Sequence, residues 1–328
     1  MKQRGFRYCR VCKTKLQKWG KTGAGKQRWR CPVCSLTATK PRPDLRRVFV
    51  FEGFMSWLLG KDSQDDLAAA SRTFRDQTAW CWGVPVPSVL RGECHHCVIV
   101  DGIRVSGHVC LIARTTMFVI AWMWVPYESS TYWATFLASL PAPTYVVCDG
   151  QKGLLKALPL CWPGTIVQRC RFHIWLNVKT KLTLHPESIA GKELLVLTKD
   201  LLHVRTRKHA RHWKQRLRRW YKRHQNYVNE RTVKPYPKPR ERSWRYTHER
   251  LRSAYRQLDK VTDDALRSSY RPHAELPSTT NHVEGGMNSQ IRTKLKYHRG
   301  MSREHQRVLV NWYLYTRSEG RKPTRFCL

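Results

Sequence analysis

Two short apolar runs in the middle of the chain each end in an aspartate followed by a glycine. They are residues 97–102 (CVIVDG) and residues 145–150 (YVVCDG). Each run is rich in β-branched or aromatic residues and stops at a glycine, which is typical of a buried strand. One Asp-Gly alone more often marks only a turn. Two neighbouring carboxylates, Asp101 and Asp149, are instead suited to a pair of Mg²⁺ ions acting on a phosphodiester.

A two-metal site usually needs a third carboxylate, and Glu284 is the best candidate. It lies in residues 278–292 (STTNHVEGGMNSQIR), whose Ser, Thr and Asn residues favour the start of a helix. Asn288 and Arg292 follow at four and eight residues, so a helix would place them on the same face as Glu284. Four other acids compete less well because they lie among surface-type charges: Asp259, Asp263, Asp264 and Glu275.

The elements that must position these acids have a recognisable order. Between the two Asp-Gly runs we predict strands at residues 109–117 and 118–125 and a helix at residues 132–140, with a further strand at 165–168. The order strand, strand, strand, helix, strand predicts an α/β fold with a mixed sheet. Its first and fourth strands would be adjacent after a helical crossover. The two aspartates would then meet at one edge.

The composition limits the class of protein. Of 328 residues, 61 are Lys or Arg and 23 are Asp or Glu, which gives a net charge of +38. The hydrophobic fraction of 41% is enough for packed cores and excludes wholesale disorder. The charge indicates a polyanionic partner, most commonly DNA or RNA. We expect a cytoplasmic protein with no membrane partner, because the longest apolar stretch is about ten residues, half of a bilayer span.

Four of the twelve cysteines form a Cys-x2-Cys-x18-Cys-x2-Cys pattern. This spacing lets two tight turns present four thiolates to one tetrahedral Zn²⁺. A redox-active or disulfide pair is the less favoured alternative in a reducing compartment. Because all four positions are filled, we predict one structural zinc in a small zinc ribbon. Its ligands are Cys9, Cys12, Cys31 and Cys34.

Two capping-type signals follow the zinc ribbon. Ser63 with Asp66, and Thr73 with Asp76, each predict a helix start, with a turn near residues 71–72. Together with a preceding helix, this pattern predicts a helix-turn-helix that lays its last helix into a major groove. An ordinary helical hairpin remains an alternative. The predicted DNA readers are Arg72, Arg75 and Gln77.

The interval between Asp149 and Glu284 is too long for one helix and one strand, so we predict an inserted helical subdomain. Residues 203–256 contain 19 Lys or Arg against 3 Glu, with aromatic residues interleaved. A solvated surface would explain the charge alone, whereas the aromatics offer stacking surfaces for bases. We therefore expect the insertion to contact DNA. The candidate contacts are Trp213, Arg216 and Arg219.

At this point the sequence resembles the DDE transposases of the Mutator-like superfamily, in particular its bacterial insertion-sequence branch. The matching pieces are Asp101-Gly102, Cys148-Asp149-Gly150, the Cys170-x-x-His173 motif, and Thr279-Thr280-Asn281 leading to Glu284 and Asn288. The resemblance runs from about residue 98 to residue 299. It implies an RNase H-like core, a catalytic triad of Asp101, Asp149 and Glu284, and two Mg²⁺ ions per site, for which Mn²⁺ can substitute.

We expect Cys170, His173 and Asn288 to support the site through packing and hydrogen bonds. Two ligands cannot complete a tetrahedral zinc site, so metal binding by Cys170 and His173 is the less favoured alternative. Arg292 and Lys294, farther along the same predicted helix, are candidate DNA contacts.

These expectations combine into one domain plan and one preferred function. The plan is a zinc ribbon (1–40), a helix-turn-helix (41–95), the first part of the core (96–180), a basic α-helical insertion (181–275) and the C-terminal core helices with the third acid (276–328). The preferred function is a transposase that acts as a homodimer on double-stranded DNA, binding terminal inverted repeats and transferring strands to target DNA. A catalytically inactive DNA-binding regulator and an RNase H-like nuclease are the alternatives.

Overall fold

The computed structural model describes residues 8–9, 11–39, 43–62, 71–89, 92–236, 242–270, 276–280 and 286–321. The chain divides into two compact units. The terminal unit combines Met1–Ser88 with Ser289–Leu328, and the central unit is Val89–Asn288. Within the described ranges, no helix is both long enough and apolar enough to cross a lipid bilayer.

Strands and helices both contribute to the fold, so the predicted α/β class is confirmed at that level. The strands are β1 (Gln17–Lys21), β2 (Gln27–Arg30), β3 (Thr37–Ala38), β4 (Cys97–Val105), β5 (His108–Arg114), β6 (Val119–Val125), β7 (Tyr145–Cys148), β8 (Ile166–Arg169), β9 (Arg231–Val233) and β10 (Trp244–Tyr246). The helices are α1 (Pro43–Leu58), α2 (Ser71–Thr78), α3 (Ser130–Ala138), α4 (Lys152–Cys161), α5 (Arg171–Leu182), α6 (Ile189–Asp200), α7 (Arg207–Asn229), α8 (Glu249–Tyr270), α9 (Met287–Tyr297) and α10 (Arg303–Tyr315).

The terminal unit begins with a small antiparallel sheet in the order β1-β2-β3. Two equivalent turns hold the cysteine pairs beside it. In each turn the N–H of the first cysteine donates to a carbonyl five residues later, from Cys9 to Thr14 at 2.7 Å and from Cys31 to Leu36 at 2.9 Å. The matched backbone geometry brings the two pairs to one point.

The four cysteine sulfurs lie within 4.8 Å of one another, and among the described residues they are the one group of three or more such side chains close enough to share a metal ion. A tetrahedral Zn²⁺ with bonds of 2.3 Å would separate its sulfur ligands by roughly 3.8 Å. The pKa values of the group are spread apart: a backbone hydrogen bond at Cys12 lowers the pKa of Cys9 to about 7, and the hydrogen bond with Cys34 raises the pKa of Cys12 to about 12. Metal binding would displace the protons that remain on such thiols. The geometry is compatible with a four-thiolate zinc site.

The predicted helix-turn-helix is only partly within the described residues. Its first capping signal, at Ser63 and Asp66, lies outside them. The predicted turn at residues 71–72 is wrong, because α2 already begins at Ser71 and Thr73 lies inside it. Thr73 is exposed to solvent, where a hydroxyl is tolerated in a helix interior. The predicted readers on α2 are exposed: Arg72, Arg75 and Gln77.

Two side chains of α9 cap the C-terminal end of α1. The Lys294 ammonium donates to the carbonyls of Leu59 and Gly60, and His298 Nε2 lies 3.0 Å from the Leu58 carbonyl. These carbonyls have no partner within their own helix, and cations are favoured at this end. The structure thus engages Lys294, a predicted DNA contact, in holding the terminal unit together.

The central unit contains a five-stranded sheet in the order β6-β5-β4-β7-β8. The first three strands pair antiparallel, and β4 with β7 and β7 with β8 pair parallel. This confirms the predicted meander and the adjacency of the first and fourth strands. The predicted strand ending at Met117 is too long, because Thr115 and Phe118 close a turn with an N–H···O distance of 2.8 Å.

The two faces of this sheet are covered differently. Val98 and Val100 of β4 face a core that includes residues of α3 and α4, such as Trp133 and Leu154. Ile99, one residue out of phase, packs on the other face in a cluster with Val147 and Leu276. Because side chains alternate along a strand, Asp101 belongs to the face of Ile99.

The predicted insertion is helical, with α5, α6, α7 and α8 sharing one apolar core. Trp213 is 2% exposed, and its indole N–H donates to the Leu197 carbonyl at 2.8 Å. Its ring is packed inside the protein, so the prediction that Trp213 stacks on DNA is wrong. The polar face of the same helix carries Arg216, which pairs with Asp200 at 2.7 Å, and the exposed Arg219.

One buried arginine fastens these helices to the end of the sheet. Arg171 is 1% exposed. It donates to the carbonyls of Ala265 and Val204 and to the hydroxyls of Ser268 and Ser269. Burial and, to a lesser degree, the charge of Arg205 lower its pKa to about 10. All four acceptors are neutral, so the guanidinium is held by geometry rather than by an ion pair.

Replacing Arg171 with Met should lower the free energy of unfolding by at least about 2 kcal/mol, because buried acceptors lose their donors. Urea unfolding followed by circular dichroism measures this change. The matched control is Arg218→Met on the exposed face of α7, expected within about 0.5 kcal/mol of the wild type. Equal stability of the two variants would contradict the proposed anchoring role.

The cysteine group predicts one zinc per chain. Purified protein should contain about one equivalent of zinc by elemental analysis, and Cys31→Ser should lose it because three thiolates and a hydroxyl make a weaker site. Cys110→Ser, at a buried cysteine of β5 outside the group, is the control and should retain the metal. Zinc retained by Cys31→Ser but lost by the control would exclude this assignment.

Candidate active site

Strand register places Asp101 beside Asp149. In the parallel pair of β4 and β7, Val100 lies opposite Cys148. The next residue on each side is an aspartate. The last paired residue of β7 is Cys148, whereas β4 continues to Val105 against β5. The two carboxylates therefore lie where β7 and β8 end and the sheet narrows from five strands to three.

Short hydrogen bonds orient both carboxylates. Asp101 Oδ1 accepts from the N–H of Gly102 at 2.9 Å, and its Oδ2 accepts from Asn288 Nδ2 at 2.9 Å. Asp149 Oδ1 accepts from the N–H of Gln151 at 2.9 Å. Asn288, which the sequence marked as a supporting residue, is thus in direct contact with a candidate catalytic aspartate.

The electrostatics of the pair favour a bound cation. Burial raises the pKa of Asp101 to about 6, and the charge of Asp149 adds to the increase, while His173, the Gly102 N–H and Arg114 oppose it. Two neighbouring like charges repel each other, and a cation or proton between them removes that repulsion. Carboxylate oxygens are preferred ligands of Mg²⁺. The donor set and its charge fit a divalent metal ion.

Both Asp-Gly glycines leave room for a charged side chain of the site, and the positive φ of Gly150 also favours glycine. Gly150 has a φ of +84°, and a Cβ there would lie 1.8 Å from the guanidinium of Arg169. That guanidinium donates to the Asp149 carbonyl at 3.1 Å. At Gly102, a Cβ would lie 2.7 Å from Glu128 Oε1. A larger residue at either position would displace a charged neighbour of the site.

Glu128 is an acid at this site that the sequence analysis missed. It lies between β6 and α3, two residues before the helix begins. Burial and the charge of Asp149 raise its pKa, while Trp133 and Arg104 act in the opposite direction. Its position between a strand and a helix resembles that of Asp149 before α4, and this was the available signal. Glu128 brings a third described carboxylate to this end of the sheet.

Thr280 is held on several sides by residues of the central unit. Its N–H and its hydroxyl donate to Cys170 Sγ at 3.2 and 3.5 Å, and its hydroxyl lies 3.4 Å from His173 Nδ1. Arg114 Nη2 donates to its carbonyl. Within the described ranges, no third metal donor joins Cys170 and His173. Cys170 and His173 instead hold Thr280 in place, four residues before Glu284 in the sequence.

The Cys170–His173 pair is strongly polarised. Burial alone would lower the pKa of His173, but the hydrogen bond and charge of Cys170, with the charges of Asp101 and Asp149, raise it to about 9. Burial opposes ionisation of Cys170, yet hydrogen bonds from His173 and Thr280 lower its pKa. A positive imidazolium near the two aspartates partly offsets their repulsion.

Glu284 lies outside the described residues. Thr280 before it and Asn288 after it both line a small cavity that also contains Asp101. Of the remaining predicted contacts, Arg292 is exposed on α9. The structure therefore brings together Asp101, Asp149 and Asn288, and connects Cys170 and His173 to the same region through Thr280.

Comparison with known proteins places these residues in a family. A family model described as transposase, Mutator family, matches residues 94–305, well over half of the chain. A relative by sequence is the transposase for insertion sequence element IS6120 of Mycolicibacterium smegmatis, 28% identical over 129 residues. That alignment covers 37% of this chain and 38% of the relative, so the chain matches well under half of the relative's length. The matched range 94–305 contains both aspartates, Cys170, His173, Glu284 and Asn288, and the chain belongs to the Mutator family of transposases.

Proposed function

We propose that this protein is a DNA transposase of an insertion sequence that cuts and joins DNA by a two-metal DDE mechanism. The observation that carries the proposal is the parallel register of β4 and β7, which makes Asp101 and Asp149 neighbours. The sheet order, with an antiparallel meander and a helical crossover, supports an RNase H-like core. The five-domain plan predicted from the sequence is part of the same proposal.

Asp101, Asp149 and Glu284 would hold two Mg²⁺ ions, and Mn²⁺ would substitute. When bound, such a pair activates an attacking oxygen and stabilises the leaving oxygen of a phosphodiester. The chain's own residues prepare the carboxylates for this role. Asn288 and the Gly102 N–H fix both oxygens of Asp101, and the Gln151 N–H fixes one oxygen of Asp149. Little reorientation is then needed when metal and DNA arrive.

Glu284 is proposed as the third carboxylate on the evidence of its neighbours in the chain. Thr280 and Asn288, eight residues apart in the sequence, line the same cavity as Asp101. A residue midway is at most about 14 Å of extended chain from either end. Glu128 is the competing acid, because it is described and lies against Gly102.

DNA is the proposed partner, as terminal inverted repeats and as target, with the protein acting as a homodimer. The zinc ribbon and a helix-turn-helix are proposed to bind the element's ends. Exposed cations on three helices support an extended contact with phosphates: Arg72 and Arg75 on α2, Arg219 on α7, and Arg292 on α9. These side chains are part of the large positive net charge of the chain, +38, which favours binding to phosphates.

Asp101→Asn and Asp149→Asn should each reduce Mg²⁺-dependent cleavage of labelled duplexes carrying the element's terminal repeats by about 10³-fold or more. Each variant removes a metal ligand and little volume, so binding measured by mobility shift should stay within about threefold of the wild type. Cleavage by the wild type should disappear in EDTA. Sequence-specific binding without cleavage by the wild type would favour a regulator instead.

The third carboxylate is assigned by comparing three Glu→Gln variants in the same assay. Glu284→Gln should lose cleavage as the aspartate variants do, because it removes a proposed metal ligand. Glu128→Gln should stay within about tenfold of the wild type, as expected for a residue acting through its neighbours. Glu187→Gln, exposed before α6, is the control. Loss in Glu128→Gln with full activity in Glu284→Gln would transfer the role to Glu128.

A further inference from the structure

The insertion carries a small two-stranded ribbon between α7 and α8. β9 and β10 pair antiparallel, with Val233 opposite Trp244 and Arg231 opposite Tyr246. They form a separate sheet of their own. Two-stranded ribbons are marginally stable alone and need anchoring by neighbours.

The base of the ribbon is anchored to the flanking helices. The Thr247 N–H donates to the Glu230 carbonyl at 2.9 Å. His248 Nε2 lies 3.0 Å from Glu230 Oε2, and the His248 ring stacks on Tyr227 with centroids 3.6 Å apart. The acid at the base is thus engaged, and the ribbon is fixed at the point where it leaves the helices.

One face of the ribbon alternates guanidinium groups with aromatic rings. The Arg231 guanidinium lies 4.1 Å from the centroid of Trp244 and 5.9 Å from that of Tyr246. Arg242 lies 5.5 Å from Trp244, and Arg252 of α8 lies 3.8 Å from Tyr246. Stacking on a ring limits the rotamers of an arginine while leaving its N–H edge able to donate. These cations are therefore pre-organised for an anion.

The ribbon arginines differ in their partners from the arginines of the insertion helices that form ion pairs. On the helices, Arg223 pairs with Glu193 at 3.1 Å and Arg267 with Asp264 at 3.0 Å. No ion pair joins the ribbon arginines to a carboxylate among the described residues; these arginines are Arg231, Arg242 and Arg245. All three are exposed, and Val233 and Tyr236 nearby are 74% and 93% exposed. The surface combines unpaired positive charge with exposed apolar groups.

We propose that the β9–β10 ribbon is a DNA-binding element that docks into a groove of duplex DNA, an inference that rests on the proposed transposase function. The major groove admits a two-stranded β-ribbon. The stacked arginines would donate to phosphates on the groove's edges, as guanidinium groups do in charge-assisted pairs. The exposed Val233 side chain would be shielded from water inside the groove.

The test is the salt dependence of duplex binding by the full-length protein and by Arg231→Gln/Arg242→Gln, the two ribbon arginines that stack on Trp244. Fluorescence anisotropy with a labelled 30-bp duplex gives the dissociation constant over a range of NaCl concentrations. Loss of two phosphate contacts should lower the slope of log K against log [salt] by about 1.8. At about 0.15 M salt the affinity should fall about 10- to 100-fold. Arg223→Gln removes the same charge from an arginine that is already ion-paired, and should leave the slope unchanged.

Circular dichroism and zinc content should match the wild type in every variant. Arg242→Gln alone, whose guanidinium lies 5.5 Å from one ring, keeps the test usable if the double variant misfolds, with an expected slope change of about 0.9. An unchanged slope and affinity in the folded variants, while the wild type binds and cleaves, would overturn the ribbon proposal and leave the transposase proposal intact. A loss confined to single-stranded DNA would also overturn it. No duplex binding by the wild type would instead reject the proposed function.

Discussion

Repulsion between two carboxylates at the end of one sheet is the constraint on which the rest of the central unit depends. The pairing of β4 with β7 brings Asp101 and Asp149 together, although burial and the charge of Asp149 both disfavour the charged form of Asp101. Backbone N–H groups, the Asn288 amide and the nearby His173 imidazolium offset part of that cost. The repulsion that is not offset favours the binding of a divalent cation, because such an ion would neutralise the two carboxylates.

The same region shows how distant parts of the chain are joined. The Arg171 N–H donates to the Ser278 carbonyl at 3.0 Å, and one residue earlier Cys170 accepts from Thr280. Arg114 holds Thr280 from β5. The spacing of the Cys-x-x-His motif could suggest a metal site. In this structure its cysteine and histidine instead contact Thr280, and they connect the insertion helices to the segment that precedes Glu284.

Much of this arrangement could be predicted from the sequence because it rests on local periodicity. The strands of the central sheet are short apolar runs, and their order predicts the helical crossover. The spacing of the cysteines predicts that Cys9, Cys12, Cys31 and Cys34 come together. Glu128 was not predicted because its approach to Gly102 joins separate parts of the chain, and its place between a strand and a helix is a weaker signal than an Asp-Gly run. Trp213 was misplaced because basic residues surround it in sequence, whereas the helical period turns it inward with Leu217 and Trp220. Lys294 likewise serves a helix end more than 230 positions away in the chain.

The anchoring of Arg171 has a mechanical consequence. Gln168 donates to the Ala265 carbonyl and accepts from the Ser268 N–H, so residues 168 and 171 hold the same turn of α8. A force applied to the insertion helices would be transmitted along α8 to the contacts that Gln168 and Arg171 make with it. From there it passes directly to the end of β8 and to the Cys170 contact with Thr280. Tension on the insertion helices would thus be transmitted through a few residues to Thr280, which lines the same cavity as Asp101.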